Sequence, residues 1–281
     1  AIGLAAGRPS LTAFGLGLAF TVLDLLFVVF LNDWGDREVD AIKRRMFPKS
    51  SDKTIPDGLL PAHHLLFAGA LCGAAALGVA FTGQILLDRP WLGALGLAAL
   101  GVFVAYTLPP VRLNYRGGGE LLEMLGVGVL LPWLQAYLQG GDPTPPGLWL
   151  LPGFALLSTA SAVASGLSDE RSDARGGKRT FVTRFGNLAG RRATEALVFA
   201  GACTWALTGT LGDTLPWWVT VPPAFVAFWY GGQTMAVSGA AQTDAFAAQR
   251  RYKRCLHHAI WRGGLCAAML LATWHLWLQT R

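Results

Sequence analysis

Residues 10–40 read SLTAFGLGLAFTVLDLLFVVFLNDWGDREVD. The run from Ser10 to Leu31 carries one ionisable residue, Asp24, and is long enough as a helix to cross about 30 Å of hydrocarbon. The segment Asn32-Asp33-Trp34-Gly35-Asp36-Arg37-Glu38-Val39-Asp40 follows at once. Its aspartates fall at i, i+3 and i+7, positions that share one face of a helix continuing out of the membrane. Three carboxylates this close repel one another. A cation between them relieves the repulsion, and oxygen ligands are what Mg²⁺ prefers. The plainer reading is a solvated helix end with Lys43, Arg44 and Arg45 as ion-pair partners.

A second acidic cluster weighs against the plainer reading. Asp169-Glu170-Arg171-Ser172-Asp173 is followed by Gly176-Gly177-Lys178-Arg179-Thr180. Asp169 and Asp173, at i and i+4, again share a face, and the glycine pair ends the helix. Carboxylates beside strong cations suit a metal-bridged polyphosphate: metals take the anionic oxygens, and the cations take the remaining phosphate charge. A third polar stretch, Tyr106 to Gly117, holds Arg112 and Arg116, with Glu120 and Glu123 just beyond. Both arginines also read as simple membrane anchors, and Tyr106 as an interfacial aromatic. Asp24, inside the first span, is a functional candidate by default, because a membrane interior tolerates an ionisable group poorly. A hydrogen bond between helices explains it equally well.

The rest of the chain agrees with a polytopic, all-α bundle. It is 53% hydrophobic and only 14% charged, against roughly 25% charged in soluble domains. Spans are expected near 10–31, 62–87, 91–109, 119–138, 147–166, 193–211, 215–238 and 259–278. If all eight cross, 20 of the 23 Lys and Arg fall on one side, together with both Asp-rich segments. Positive residues stay cytoplasmic, so the Asp-rich loops are expected on the cytoplasmic face. The net charge of +6 is then a topological signal and implies no nucleic-acid partner. The four cysteines form no CxxC pair and offer neither a metal site nor a disulfide framework. The chain is read as one transmembrane domain over 1–281. It begins at Ala1 without a Met, and residues are expected to be missing upstream.

With these residues in view, the chain resembles the UbiA superfamily of intramembrane prenyltransferases. Asn32-Asp33-x-x-Asp36-x-x-x-Asp40 is similar to its first Asp-rich motif. Asp169-x-x-x-Asp173 with Gly177-Lys178-Arg179-Thr180 is similar to its second. The stretch from Tyr106 into Gly119-Glu120-Leu121 looks like the branch that prenylates dihydroxynaphthoate. The first motif looks equally like chlorophyll synthases. The family fold has nine helices and places its first motif after the second, so this chain is expected to lack the family's first helix.

The resemblance implies a mechanism. A prenyl diphosphate enters from the lipid bilayer, and Mg²⁺ held by Asp33, Asp36, Asp40, Asp169 and Asp173 neutralises its diphosphate. Asn32, Lys178, Arg112 and Arg44 bind the diphosphate, and Tyr106 lies at the reacting centre. The C–O bond cleaves, and an electron-rich aromatic acceptor attacks the allylic cation. Two departures bear on this. Arg171 stands where the family often has an acid, and Ser165 where an Asn is common. Arg171 removes a possible ligand and brings a cation, unless Glu170 substitutes. A terpene cyclase of the same superfamily, which needs no acceptor, is the second reading. A transporter is the third. Transporter sites lie near the bilayer midplane at broken helices, whereas these acids cluster at its edge.

Overall fold

The computed structural model describes residues 10–48, 53–211 and 214–279. Arg8, Lys49 and Arg281, counted in the charge split, lie outside these ranges. Among the described residues the chain is helical, with no strand. Ten helices follow in order: α1 Leu11–Met46, α2 Ala62–Leu86, α3 Leu92–Thr107, α4 Leu113–Arg116, α5 Gly119–Gly140, α6 Pro146–Ser168, α7 Glu170–Arg175, α8 Phe181–Leu211, α9 Trp217–Ser238 and α10 Phe246–Gln279. Each of the eight long ones contains or overlaps one of the eight expected spans, but α1 runs on to Met46 past the expected end at 31, and α8 and α10 begin at Phe181 and Phe246, ahead of the expected starts at 193 and 259; α4 and α7 are short polar pieces between them.

α1, α2, α5 and α6 are long and apolar enough to cross a membrane; α3 is apolar but shorter. The outer surface of the bundle, α9 and α10 included, is greasy. Phe67, Ile85, Phe225 and Trp261 are 69–78% exposed, which water would penalise and lipid does not. The chain is an integral membrane protein.

α1 runs further than a span needs. Ser10 caps it by accepting the Ala13 amide at 3.2 Å, and its 36 residues extend about 54 Å. The first Asp-rich segment is therefore the helix's protruding last third rather than a loop. Lys43, Arg44 and Arg45 in its final turn meet the negative end of the helix dipole.

α5 is interrupted by a wider π-helical stretch, Met124–Leu130, in which the Leu131 amide donates five residues back to the Gly126 carbonyl. Pro132, one residue further, has no amide to give and its ring crowds the preceding turn. The register shift absorbs that conflict, and such bulges recur at functional sites. Glu123 sits immediately before the bulge.

The interior divides into two apolar cores. Phe20, Phe27, Leu92 and Leu134 anchor one, built from α1, α2, α3 and α5. Leu157, Trp205, Tyr252 and Leu256 anchor the other, built from α6, α8, α9 and α10. Small residues let α6 and α8 approach closely. A Cβ on Gly201 of α8 would lie 2.9 Å from the Gly153 carbonyl of α6, an approach that only small side chains permit. Gly201→Val is expected to force α6 and α8 apart at a cost of about 2 kcal/mol. Heat denaturation in detergent checks this; an unchanged midpoint would mean that the contact is slack.

Candidate active site

The two Asp-rich segments come together where the two halves meet. Asn32 and Asp36 of α1, Asp169 and Asp173 around α7, and Lys178 after α7 line one polar cavity of about 190 Å³, closed by Tyr106, Asn114, Glu120 and Glu123. The Lys178 ammonium donates to the Asp36 carboxylate at 2.6 Å, joining the two motifs directly. Tyr115 donates its hydroxyl to the other Asp36 oxygen at 3.3 Å. Lys43 pairs with Asp169 across the same seam.

Each motif is held in place by its own backbone. At the second, the Asp173 amide donates to the Asp169 carbonyl at 2.7 Å, so the two acids sit one helical turn apart. Gly177 then takes φ 77°, a left-handed conformation that glycine adopts without a steric penalty. That turn swings Lys178 back toward the cavity. Glu120 accepts the Phe181 amide at 2.6 Å and holds the start of α8 beside the site.

Not every candidate residue faces the cavity. Asp33 accepts the Thr54 hydroxyl at 2.7 Å, and Asp40 pairs with Lys53. Both are covered by the chain that follows α1. Arg44 is turned onto Asp57 at 2.7 Å and onto the Pro48 carbonyl, away from the cavity. Arg112 also stays outside. Its guanidinium lies 3.6 Å from the Tyr115 ring centre and donates to the Gly35 carbonyl at 2.6 Å, bracing the turn of α1 that carries Asp36. Tyr106 does line the cavity, stacked on Phe103.

The departures from the family pattern are resolved locally. Arg171 is exposed and pairs with Asp244 at 2.6 Å, so it adds no cation to the cavity. Glu170 accepts the Asn187 amide at 3.2 Å and the Thr243 hydroxyl at 2.6 Å, which commits it to structure and not to a ligand role. Ser165 lines the cavity with its hydroxyl donated to the Ala162 carbonyl.

Electrostatics record the crowding. Burial, reinforced by Asp169 and Asp36, pushes the Asp173 carboxyl up to about 7 against the pull of Lys178 and Lys43. Burial alone would depress the Lys53 ammonium, but Asp40, Asp169 and Asp33 outweigh it and raise it above its usual range. Burial and Asp36 likewise raise the Tyr115 hydroxyl. Among the described residues no three acidic, His or Cys side chains converge closely enough to hold a metal ion in this conformation. The reason is visible in the pairings: Lys43, Lys53 and Lys178 occupy the cation positions between the acids. The Asn114 side chain is buried with both amide atoms unpartnered, facing the same cavity.

A polar brace behind the second motif has no counterpart in the sequence reading. Arg191 of α8 is buried and donates to Asn187 Oδ1 at 2.8 Å, to the Ser238 carbonyl at 2.6 Å and to Ser238 Oγ at 2.9 Å. Asn187 reaches the Ala241 carbonyl, and its amide holds Glu170. Gln249 ties α10 to the Leu167 carbonyl, just before Asp169. These residues read in sequence as ordinary positive-inside charges and loop polars, with nothing to distinguish them.

The comparisons fit this geometry. The 1,4-dihydroxy-2-naphthoate octaprenyltransferase of Haemophilus influenzae is 27% identical over 63% of this chain, a match spanning 58% of that enzyme's length. The digeranylgeranylglyceryl phosphate synthase of Halobacterium salinarum is 30% identical over 90% of this chain and 83% of its own. The fold superimposes on a UbiA homologue from Archaeoglobus fulgidus solved with DMAPP and Mg²⁺, with TM-score 0.67, 16% identity, and coverage of 95% of this chain and 92% of the other. The same homologue bound to GPP and Mg²⁺ gives the same score. The UbiA prenyltransferase family model matches residues 1–253. Eight long helices, two acidic motifs meeting in one cavity and a family match over nine-tenths of the sequence lead to one statement: this chain belongs to the UbiA prenyltransferase family.

Proposed function

We propose that the protein catalyses Mg²⁺-dependent transfer of an isoprenoid chain from a prenyl diphosphate to an aromatic acceptor within the membrane. The observation that carries this reading is the Lys178–Asp36 contact at the seam, which brings residues of both acidic motifs to one buried cavity. The excess of Lys and Arg around the two motifs supports a cytoplasmic orientation for this end.

The donor set suits a divalent cation. Its groups are carboxylate and amide oxygens, and the lysines now paired with them can turn to phosphate once metal charge replaces theirs. Asp36, Asp169 and Asp173, which line the cavity, would hold Mg²⁺, which when bound neutralises the diphosphate and eases its departure; Asp33 and Asp40 would join them only on release from Thr54 and Lys53. Lys178 takes phosphate oxygens as a point charge. Asn114 offers its unpartnered amide N–H to the same oxygens. Arg112 and Tyr115 keep Asp36 in register from behind. The apolar helices that surround this cavity exclude water, which would otherwise capture the allylic cation.

Mass spectrometry of products from a panel of prenyl diphosphates, with and without aromatic acceptors, tests the reading. A prenylated acceptor is expected. A cyclic hydrocarbon or alcohol formed without acceptor would replace transfer by cyclisation. Chelating Mg²⁺ with EDTA is expected to lower turnover at least about 100-fold, with recovery on adding Mg²⁺. Undiminished turnover in EDTA would remove the metal from the mechanism.

A further inference from the structure

Beside the acidic cavity lies a second one, of about 340 Å³, enclosed by α1, α3, α5 and α6. Asn32, Tyr106, Glu123 and Ser165 line both, so a molecule held in the second cavity borders the site where the diphosphate is cleaved. Its walls are apolar and aromatic, with Val28, Phe103 and Leu131 among them. Two carboxyl groups, Asp24 and Glu123, interrupt that surface. Asp24 is 6% exposed, and among the described residues neither acid has a hydrogen-bond or ion-pair partner.

We propose that this cavity is the acceptor subsite, and that it takes an aromatic acceptor presenting neutral hydroxyl groups and no carboxylate or phosphate at its buried end. The proposal rests on the prenyl-transfer reading above. Burying an unpartnered carboxyl in an apolar wall is unfavourable unless a ligand donates to it. Carboxylate oxygens accept hydrogen bonds, so the matching ligand group is a hydroxyl. Among the described residues no Lys, Arg or His lines this cavity. An acceptor bearing an anion would set a charge against these two carboxyl groups with no cation lining the cavity to pair it, at a large desolvation cost. An isoprenoid chain is a poor occupant for a complementary reason: it satisfies neither acid. A larger cavity of about 570 Å³, lined by Phe154, Trp205 and Trp261 and meeting the others at Glu123, remains for the hydrocarbon.

The test uses the full chain in detergent with Mg²⁺ and geranyl diphosphate. 1,4-Dihydroxynaphthalene, 1,4-dihydroxy-2-naphthoate and glycerol 1-phosphate are compared as acceptors. The neutral diol is expected to be used at least about tenfold more efficiently, in kcat/KM, than either anion. Asp24→Leu removes the buried acceptor oxygens without creating a void and is expected to keep thermal stability. It should raise KM for the diol about tenfold while the KM for geranyl diphosphate stays within about twofold. Asp24→Asn, which restores one acceptor oxygen, should fall between the two. Equal or better use of the naphthoate overturns the acceptor assignment, as does an Asp24→Leu effect confined to the KM for geranyl diphosphate. If geranyl diphosphate is not consumed by the wild-type protein with any acceptor, it is the prenyl-transfer reading itself that fails.

Discussion

Asp36→Asn is expected to lose turnover by at least about 100- to 1,000-fold while keeping its helical content and heat stability, and Asp173→Asn to do the same. Asp36 joins the two motifs through Lys178 on one oxygen, beside the Lys43–Asp169 pair, and accepts Tyr115 on the other. An amide of the same shape keeps an acceptor oxygen for one of these partners. It does not keep the negative charge that a divalent cation and a lysine both need. Asp173 separates fold from function still more clearly. Burial already pushes its carboxyl up to about 7, so a neutral isostere removes little that the folded protein uses for stability. What it removes is the capacity to ionise when a cation arrives. Turnover of the prepared variants with Mg²⁺ and a prenyl diphosphate is the measurement. Wild-type rates in either variant would exclude that residue from the site.

The second large effect is on stability. Arg191→Met should lower stability by about 3 kcal/mol, which corresponds to roughly 6–12 °C in the thermal midpoint. The guanidinium makes three hydrogen bonds to Asn187 and Ser238 in a buried setting. Removing it strands acceptors that water cannot reach, and that is the expensive half of losing a hydrogen bond. Arg191→Lys should not rescue it, because a single ammonium cannot reproduce the planar fork that spans Nε and Nη1. Because the Asn187 amide also holds Glu170, three residues before Asp173, the surviving activity of Arg191→Met should be low as well. A midpoint within about 2 °C of wild type would show that the brace is dispensable.

How much of this was open to a reader of the sequence differs from residue to residue. The spans were legible because a membrane imposes a length and an apolarity that the local sequence must meet. α2 begins and ends near where hydropathy says it does, and α1 begins there, although it continues to Met46 beyond the apolar run. The acidic motifs were legible for a related reason. Spacings of three, four and seven put carboxylates on one helical face whatever the rest of the chain does. The number of spans between the motifs then required both to lie on one side. The fate of individual cations was not legible. Lys178 and Asp36 are 142 positions apart, and nothing local says that they meet. Arg44 and Arg112 carry the same charge as Lys178 and look equally suited to phosphate. Arg44 is drawn to Asp57 and Arg112 to a backbone carbonyl and an aromatic ring, so neither reaches the cavity. Arg171, conspicuous in the sequence as a departure, is neutralised by Asp244 from the α9–α10 connection.

Asp24 marks the boundary between the two kinds of knowledge. From the sequence alone it is an ionisable residue in a hydrocarbon span, equally readable as a helix–helix hydrogen bond or as a contact for substrate. The helix periodicity decides only that it is buried or exposed with its neighbours on α1. Whether a donor stands opposite it depends on α3 and α5, which approach from more than 70 residues away. Among the described residues none hydrogen-bonds to it, and Glu123 from α5 faces the same space. Local sequence determined the helices and the charges they carry, because hydrophobic length and helical spacing act within one segment. Packing between segments decided which charges are satisfied, and therefore which ones are left for a ligand.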